Sequence, residues 1–171
     1  GPGINMHRTA YSGRNFEYYS EDGFLSGMMS AYEVKAIQDK GVHVVMKHFA
    51  LNDQQINQNE MLCTWADEQA IREIYLRPFE ICVETSTFEY SDVMNGASGI
   101  MTSYNAIGTS WSSASYALCT QVLRNEWGFT GRVITDAVGN DGYQLGDTAI
   151  RAGTDMFLSP VGAMGRYTAE T

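Results

Sequence analysis

An aspartate closes a run of apolar residues, Val133-Ile134-Thr135-Asp136. Consecutive β-branched side chains read as a short buried strand, and an ionised carboxylate at its end is expensive to bury without a partner. In parallel α/β folds the carboxyl ends of strands are where chemistry is placed. The competing reading makes Asp136 the N-cap of the next helix. The same placement occurs twice upstream. The run Val42 to Met46 ends in Lys47 and His48, which alternation sends to opposite sides of the strand, and Gly99 to Ser103 ends in Tyr104 and Asn105. A lysine at a strand end is suited to Schiff-base formation with a carbonyl substrate.

The elements that must position these residues alternate. Gly1 to Glu21 is a loop rich in Gly, Asn, Arg and Tyr, as a functional loop would be. Ser20 is expected to cap a helix running to Lys40, with Leu25, Met28, Met29, Tyr32 and Ala36 as its packing face and Gly41 as its end. A strand covers Val42 to Phe49, and Gln54 to Thr64 is a loop. A helical pattern from Ala66 to Leu76 resumes after Pro78, which should kink or split it; Ile71, Ile74, Tyr75, Phe79 and Cys82 mark its inner stripe. Arg72 fits the outer face. Ser98 to Tyr104 is the third strand, again ending in polar side chains, Asn105 to Ser113 is a loop, and Ser115 to Trp127 is a helix lined by Tyr116, Cys119, Val122 and Leu123. Gly128 supplies a left-handed helix stop before the Val133 to Asp136 strand. A short helix from Tyr143 to Arg151, a stop at Gly153 and a strand from Asp155 to Leu158 complete the order.

Strands alternating with helices predict a parallel sheet with right-handed crossovers. The chain contains neither GxGxxG after a strand nor GxxxxGK[ST], which counts against nucleotide folds. Polar groups at successive strand ends favour a barrel, whose site collects residues from many strands.

Composition bounds the rest. The 171 residues suffice for one modest domain, and 44% hydrophobic with 18% charged residues describe an ordinary globular chain. A formal net charge of −9 argues against a nucleic-acid partner. No apolar run approaches a membrane span. The three cysteines, Cys63, Cys82 and Cys119, have no metal-ligand spacing and read as buried free thiols. Unpaired thiols point toward a reducing, cytoplasmic compartment.

Taken together, the segments Gly1-Pro-Gly-Ile-Asn5, Gly13-Arg-Asn-Phe-Glu-Tyr-Tyr-Ser-Glu-Asp22, Lys47-His-Phe-Ala-Leu-Asn-Asp-Gln54, Arg72-Glu-Ile-Tyr-Leu76, Met101-Thr-Ser-Tyr-Asn105, Leu123-Arg-Asn-Glu-Trp-Gly-Phe129 and Val133-Ile-Thr-Asp136 stand in the order of a known pattern. The chain resembles the N-terminal catalytic domain of glycoside hydrolase family 3, of the β-glucosidase type, from Gly1 to about Pro160. That resemblance implies an α/β fold, an incomplete TIM-type (β/α)8 barrel spanning residues 1–171, with upstream strands and a C-terminal α/β sandwich domain lying outside the chain. It implies a retaining, exo-acting β-glycosidase that removes terminal β-D-glucosyl residues through a glycosyl-aspartate. Asp136 matches the nucleophile. Arg14, Lys47 and His48 match groups that hold sugar hydroxyls, and Met101 and Tyr104 match the wall beside the nucleophile. Cis peptides occur in the family's Lys-His-Phe segment. No metal or cofactor is implied; the partners are a β-glucoside or oligosaccharide substrate, and missing portions of the same chain or further copies of it.

The sequence departs from the pattern at Ala137, where the family commonly has tryptophan, which bears on the leaving-group side. Ala50-Leu-Asn-Asp53 replaces the Pro-Gly loop of the β-N-acetylhexosaminidase branch, which favours glucosidase-like specificity. The family's acid/base glutamate lies in a later domain, and a sugar-binding aspartate lies upstream. Glu17, Glu21, Asp53 and Asp141 are the local carboxylates, read as loop, cap or ion-pair residues. A non-catalytic barrel fragment that binds sugar weakly and a Lys47 Schiff-base aldolase stand as the alternatives; against the aldolase, the cluster of Arg14, Lys47, His48 and Asp136 that the resemblance implies suits hydroxyl recognition better.

Overall fold

The computed structural model describes residues 1–84, 97–138 and 143–159. Four parallel strands form the main sheet in the order β1 (Val45–Phe49), β3 (Gly99–Thr102), β6 (Arg132–Ala137) and β7 (Met156–Leu158). On the outer side of β1 the N-terminal segment adds a further parallel contact, with Ile4 N–H on the Lys47 carbonyl at 2.8 Å and Lys47 N–H on the Pro2 carbonyl at 3.0 Å. The predicted parallel α/β alternation is therefore present. The strand after Gly41 starts later than expected, because Val42 is exposed and only Val45 onward is paired.

Alternation divides the sheet into two faces. Met46, Ile100 and Val133 turn toward the helices and are fully or almost fully buried. There they meet Val34 of α1 (Gly23–Gln38), Phe79 of α3 (Arg77–Glu84) and Leu123 of the Ala117–Glu126 helix. Phe49 stands edge-on to Phe79 at 5.1 Å and to Trp127 at 5.9 Å. Each such buried ring is worth about 1.5–3 kcal/mol. On the opposite face lie Val45, Lys47, Met101, Ile134 and Asp136, all half-buried. The register places Lys47 beside Met101 and Met101 beside Ile134. Asp136, two residues on, projects from that same face.

Several helices differ from the sequence reading. Asp22, rather than Ser20, caps α1, its carboxylate accepting the Leu25 N–H at 2.7 Å. The face that α1 buries is Ser26, Gly27, Ser30 and Val34, while Leu25, Met29 and Tyr32 are exposed. Close approach explains the choice: a Cβ on Gly27 would lie 2.8 Å from Ile81. The helix expected from Ala66 begins behind an Asp67 cap as α2 (Glu68–Ala70), widens to π spacing over Ile71–Tyr75 and bends at Leu76 before Pro78. Ile74 leaves the expected inner stripe and is exposed. Arg72 does face outward, bonded to Glu68 at 2.9 Å and Glu126 at 2.6 Å. The Ala117–Glu126 helix buries Cys119, Val122 and Leu123 but not Tyr116. The stops at Gly41, Gly128 and Gly153 all have positive φ. The last helix, α4, is Gly146–Ala152.

The two stretches read as loops contain short strands. β2 (Cys63–Thr64) pairs with β4 (Ala106–Ile107), which turns at Gly108 into β5 (Ser110–Trp111). Cys82 and Cys119 are buried free thiols as expected, but Cys63 is exposed, because β2 lies at the edge of this small sheet. Asp141 lies outside the described residues.

Candidate active site

Asp136 sits near the C-terminal end of β6, its side chain 13% exposed. It does not cap a helix: one carboxylate oxygen accepts the Ala137 N–H at 2.7 Å, and the residue before α4 is Leu145. The other oxygen, Oδ2, is buried, has no hydrogen-bond partner among the described residues, and lies 3.4 Å from His48 Nε2. Burial raises the pKa of Asp136. The Ala137 N–H, the Arg14 charge, Tyr104 and the Lys47 charge all work in the opposite direction. The carboxylate is thus a partly desolvated acceptor surrounded by groups that favour its ionised form.

His48 is 2% exposed. Burial, then the Arg14 and Lys47 charges, push its pKa down to about 2, so the ring is neutral. Its approach to Asp136 is therefore a dipolar contact and not an ion pair. The backbone of His48 is gripped by Asn5, whose Nδ2 donates to the His48 carbonyl at 2.9 Å and whose Oδ1 accepts the His48 N–H at 2.7 Å. Tyr18 places its hydroxyl 3.4 Å from His48 Nδ1. Lys47 and His48 do not diverge as simple alternation would have them. The β1 register slips between Lys47 and Phe49, and the Lys47–His48 and Phe49–Ala50 peptides are cis.

The two cations share one carboxylate. Lys47 Nζ is 3.0 Å from Glu17 Oε2, and Arg14 Nε donates to Glu17 Oε1 through a short hydrogen bond. Burial would raise the Glu17 pKa, but the bonds to Arg14 and Lys47 prevail and hold it below the usual range. Glu17 is carried by a short 3-10 turn, Asn15–Glu17, anchored by His7 Nε2 on the Asn15 and Tyr18 carbonyls at 3.0 and 2.9 Å. Gly3 passes directly beneath, and a Cβ there would lie 3.0 Å from the Tyr18 ring and 3.1 Å from Glu17 Oε2.

Tyr104 follows β3 and is half-buried. Burial, then the Asp136 charge and a hydrogen-bonding interaction with that carboxylate, push its phenol up to about 12. Met101 shares the face of Lys47 through the strand register. The structure thus brings Asp136, His48, Lys47, Arg14 and Tyr104 into one electrostatic neighbourhood at the sheet's C-terminal end. Asn5, Tyr18 and the bridging role of Glu17 were not read as site features; the one available signal was a polar Asn5 between the apolar Ile4 and Met6. Glu21 is exposed and accepts from Ser20 Oγ at 3.3 Å, while Asp53 is buried on the Met6 N–H at 3.0 Å. Among the described residues no group of His, Cys, Asp and Glu is arranged to hold a metal ion. Chemically the neighbourhood offers the Asp136 carboxylate, two cations joined by a second carboxylate, Glu17, and neutral donors, a set suited to a polyhydroxylated ligand.

Residues 1–168 match the model of the glycosyl hydrolase family 3 N terminal domain. The chain belongs to that family. It is 43% identical over 136 residues to a beta-glucosidase of Ruminococcus albus, covering 80% of this chain and 13% of that protein. It is 44% identical over 135 residues to beta-glucosidase A of Butyrivibrio fibrisolvens, covering 79% of this chain and 15% of the relative. Beta-glucosidase 3B from Thermotoga neapolitana in complex with glucose superposes with a TM-score of 0.82 at 38% identity, over 92% of this chain and 20% of that one. The beta-glucosidase from Kluyveromyces marxianus in complex with glucose gives 0.85 at 33% identity, over 99% and 18%. The family 3 chain therefore has the fold of part of a (β/α)8 barrel. It spans less than a fifth of the length of these curated relatives.

Proposed function

We propose that this family 3 chain forms part of a retaining β-glucosidase in which Asp136 is the nucleophile. The observation that carries the reading is the Asp136 carboxylate itself, half-buried at a strand end, with Oδ2 3.4 Å from neutral His48, Tyr104 interacting with it, and the charges of Arg14 and Lys47 around it. The relatives named as beta-glucosidases, and the solved relatives holding glucose, support the sugar class.

In the proposed reaction Asp136 Oδ2 attacks the anomeric carbon as the bond from that carbon to the leaving oxygen breaks. A carboxylic acid delivers a proton to the departing oxygen, and a glycosyl ester of Asp136 results. Water, deprotonated by the same group, then displaces the carboxylate with a second inversion, so the sugar leaves with its original configuration. Such an acid stands about 5–5.5 Å from the nucleophile. Glu17 is committed to Arg14 and Lys47, and Asp53 to the Met6 N–H, so neither is offered as the acid; following the family resemblance, we assign that role to a further segment of a longer polypeptide. Arg14, Lys47 and His48 bind hydroxyls of the reacting sugar, and Tyr104 and Met101 bound it beside the nucleophile. Hydrogen bonds from these groups strengthen as positive charge develops on the ring.

Lys47 is poorly disposed for the aldolase alternative. A Schiff-base lysine must present a free neutral amine, and Nζ is held on the Glu17 carboxylate at 3.0 Å.

The direct test is intact mass after incubation with a 2-deoxy-2-fluoro-β-glucoside bearing a dinitrophenolate leaving group, which departs without acid assistance. The expected result is a stable adduct mapped to Asp136 and absent from Asp136→Asn. A full-length protein that hydrolyses glucosides yet is labelled elsewhere would remove Asp136 from this role.

A further inference from the structure

A cavity lies outside the Asp136 cluster. Its volume is about 680 Å³, and Arg8, Tyr11, Asp53, Gln55, Trp65 and Tyr75 form its walls. Asp136, Lys47, His48 and Tyr104 do not line it. This size falls within the roughly 300–1,000 Å³ of small-molecule sites. Large side chains stand open around it: Tyr11 is 93% exposed, Trp65 73% and Ile56 73%. Rings left in water around a concavity mark a surface awaiting contact.

The Trp65 ring is not adrift. Its Cζ3 lies 3.6 Å from where a Cβ on Gly108 would project, so it rests against the β4–β5 turn. Tyr75 forms a buried floor, its ring 5.3 Å from the Arg8 guanidinium. Polar groups share the walls. Asp53 is held in place by the Met6 N–H at 3.0 Å, and the Gln55 side-chain Nε2 donates to the Asn52 carbonyl at 3.1 Å while its Oε1 has no partner among the described residues.

The charge balance narrows the ligand class. Arg8 and Asp53 offset one another, and among the described residues no further cation lines the cavity. An anionic ligand would meet no surplus positive charge, whereas a neutral polyol would meet aromatic faces, amides and a carboxylate. A pyranose matches this directly, since its C–H face packs on a ring while its equatorial hydroxyls reach amide and carboxylate groups at the rim. The cavity also adjoins the candidate active site in the chain: Arg8 to Gly13 runs along its wall, and the next residue is Arg14.

We propose that this cavity is a second carbohydrate site, which takes a pyranose ring of a glucosyl oligosaccharide stacked on Trp65. The choice of a glucosyl ligand rests on the glucosidase reading above; the aromatic cavity does not.

The test uses the full chain carrying Asp136→Asn, to prevent turnover, titrated with cellotriose while tryptophan emission is followed. Of the chain's three tryptophans, Trp111 is buried, Trp127 is half-buried against Phe49 and Trp65 is exposed, so a ring stacking on Trp65 is expected to give a saturable emission change that Trp65→Ala removes. Trp65→Ala is expected to weaken cellotriose binding at least tenfold by calorimetry, Tyr11→Ala severalfold, and Trp65→Tyr less than threefold because a platform remains. Circular dichroism checks that these surface variants are folded. Affinity unchanged in Trp65→Ala, or no saturable binding of cellotriose, would overturn the inference. Fluoroglucoside labelling of Asp136 in the parent, run in parallel, reports separately on the glucosidase reading.

Discussion

Glu17 joins Lys47 to Arg14, with 3.0 Å between its Oε2 and the ammonium nitrogen and its other oxygen on the guanidinium. Neither cation is therefore positioned by its own backbone alone. Both long side chains are pinned by a carboxylate that itself hangs from a three-residue turn. Glu17→Gln keeps the shape and removes the charge, so the two cations should scatter among rotamers. We expect KM for an aryl β-glucoside to rise about tenfold, a loss of roughly 1.4 kcal/mol in binding, with a smaller fall in kcat. Steady-state kinetics on the full-length enzyme decide it, and unchanged KM would assign Glu17 a role in folding only.

Arg14 also acts through its charge on Asp136. It is among the groups that lower the Asp136 pKa against the raising effect of burial. A nucleophilic carboxylate works only when ionised, so activity falls as pH drops through its pKa. Arg14→Gln should move the acid limb of kcat/KM to higher pH and lower kcat/KM at least tenfold on the plateau. A loss of activity with the acid limb in its original place would show that Arg14 serves binding and not ionisation.

Asp53 makes stability depend on pH. Burial raises its pKa to about 6 in the folded chain, against an ordinary carboxylate value in the unfolded one. A raised value means that the protonated form favours folding: that contribution is complete below about pH 4 and disappears as the pH rises through about 6. Asp53→Asn imitates the protonated side chain and retains an acceptor for the Met6 N–H. It should raise the melting temperature at pH 8, with a gain on the order of 1–3 kcal/mol, and make no difference near pH 3.5. Equal melting temperatures at pH 8 would mean that Asp53 is better solvated than its burial suggests.

Gly27 sets the distance between α1 and α3. An added Cβ would stand 2.8 Å from both Cβ and Cδ1 of Ile81. Gly27→Ala should cost about 1–3 kcal/mol through overpacking, and Ile81→Val should recover part of it. Urea denaturation of the single and double variants measures the coupling. Simple additivity of the two substitutions would argue that the helices do not meet at this point.

Phe24, Leu25, Met29 and Tyr32 are exposed along α1, and Met156 and Leu158 along β7, which ends the described sheet. Exposed apolar side chains and an open strand edge favour association. The chain expressed by itself should elute from size-exclusion columns as oligomers or aggregates. A monodisperse monomer with a cooperative melt would contradict that expectation.

The strand-end residues were legible because β-branched and apolar runs are short, strong signals, and a charged residue closing such a run stands out. Asp136, Lys47 and His48 were found in that way. Tyr104 stood at a third such end, and the family resemblance gave it its place beside Asp136 and added Arg14 and Met101. Asn5 and Tyr18 escaped because their partners lie 43 and 30 residues away, on the backbone and ring of His48. Sequence spacing carries no record of such contacts. The packing face of α1 was misassigned for a different reason: a close helix contact selects small residues, so the largest apolar side chains marked the outside. The β2–β4–β5 sheet consists of two-residue strands, too short for any alternation to declare itself.

The cluster's composition also bears on how the cycle turns over. Arg14 and Lys47 contribute two positive charges, Glu17 and Asp136 two negative ones, and neutral His48 none. At rest the quartet is balanced. When the proposed ester forms, Asp136 loses its charge and the cations are left with one unmatched positive charge in a partly dry setting. Restoring the free carboxylate relieves that imbalance, so the electrostatic field biases the site against lingering in its sugar-bearing state and toward release.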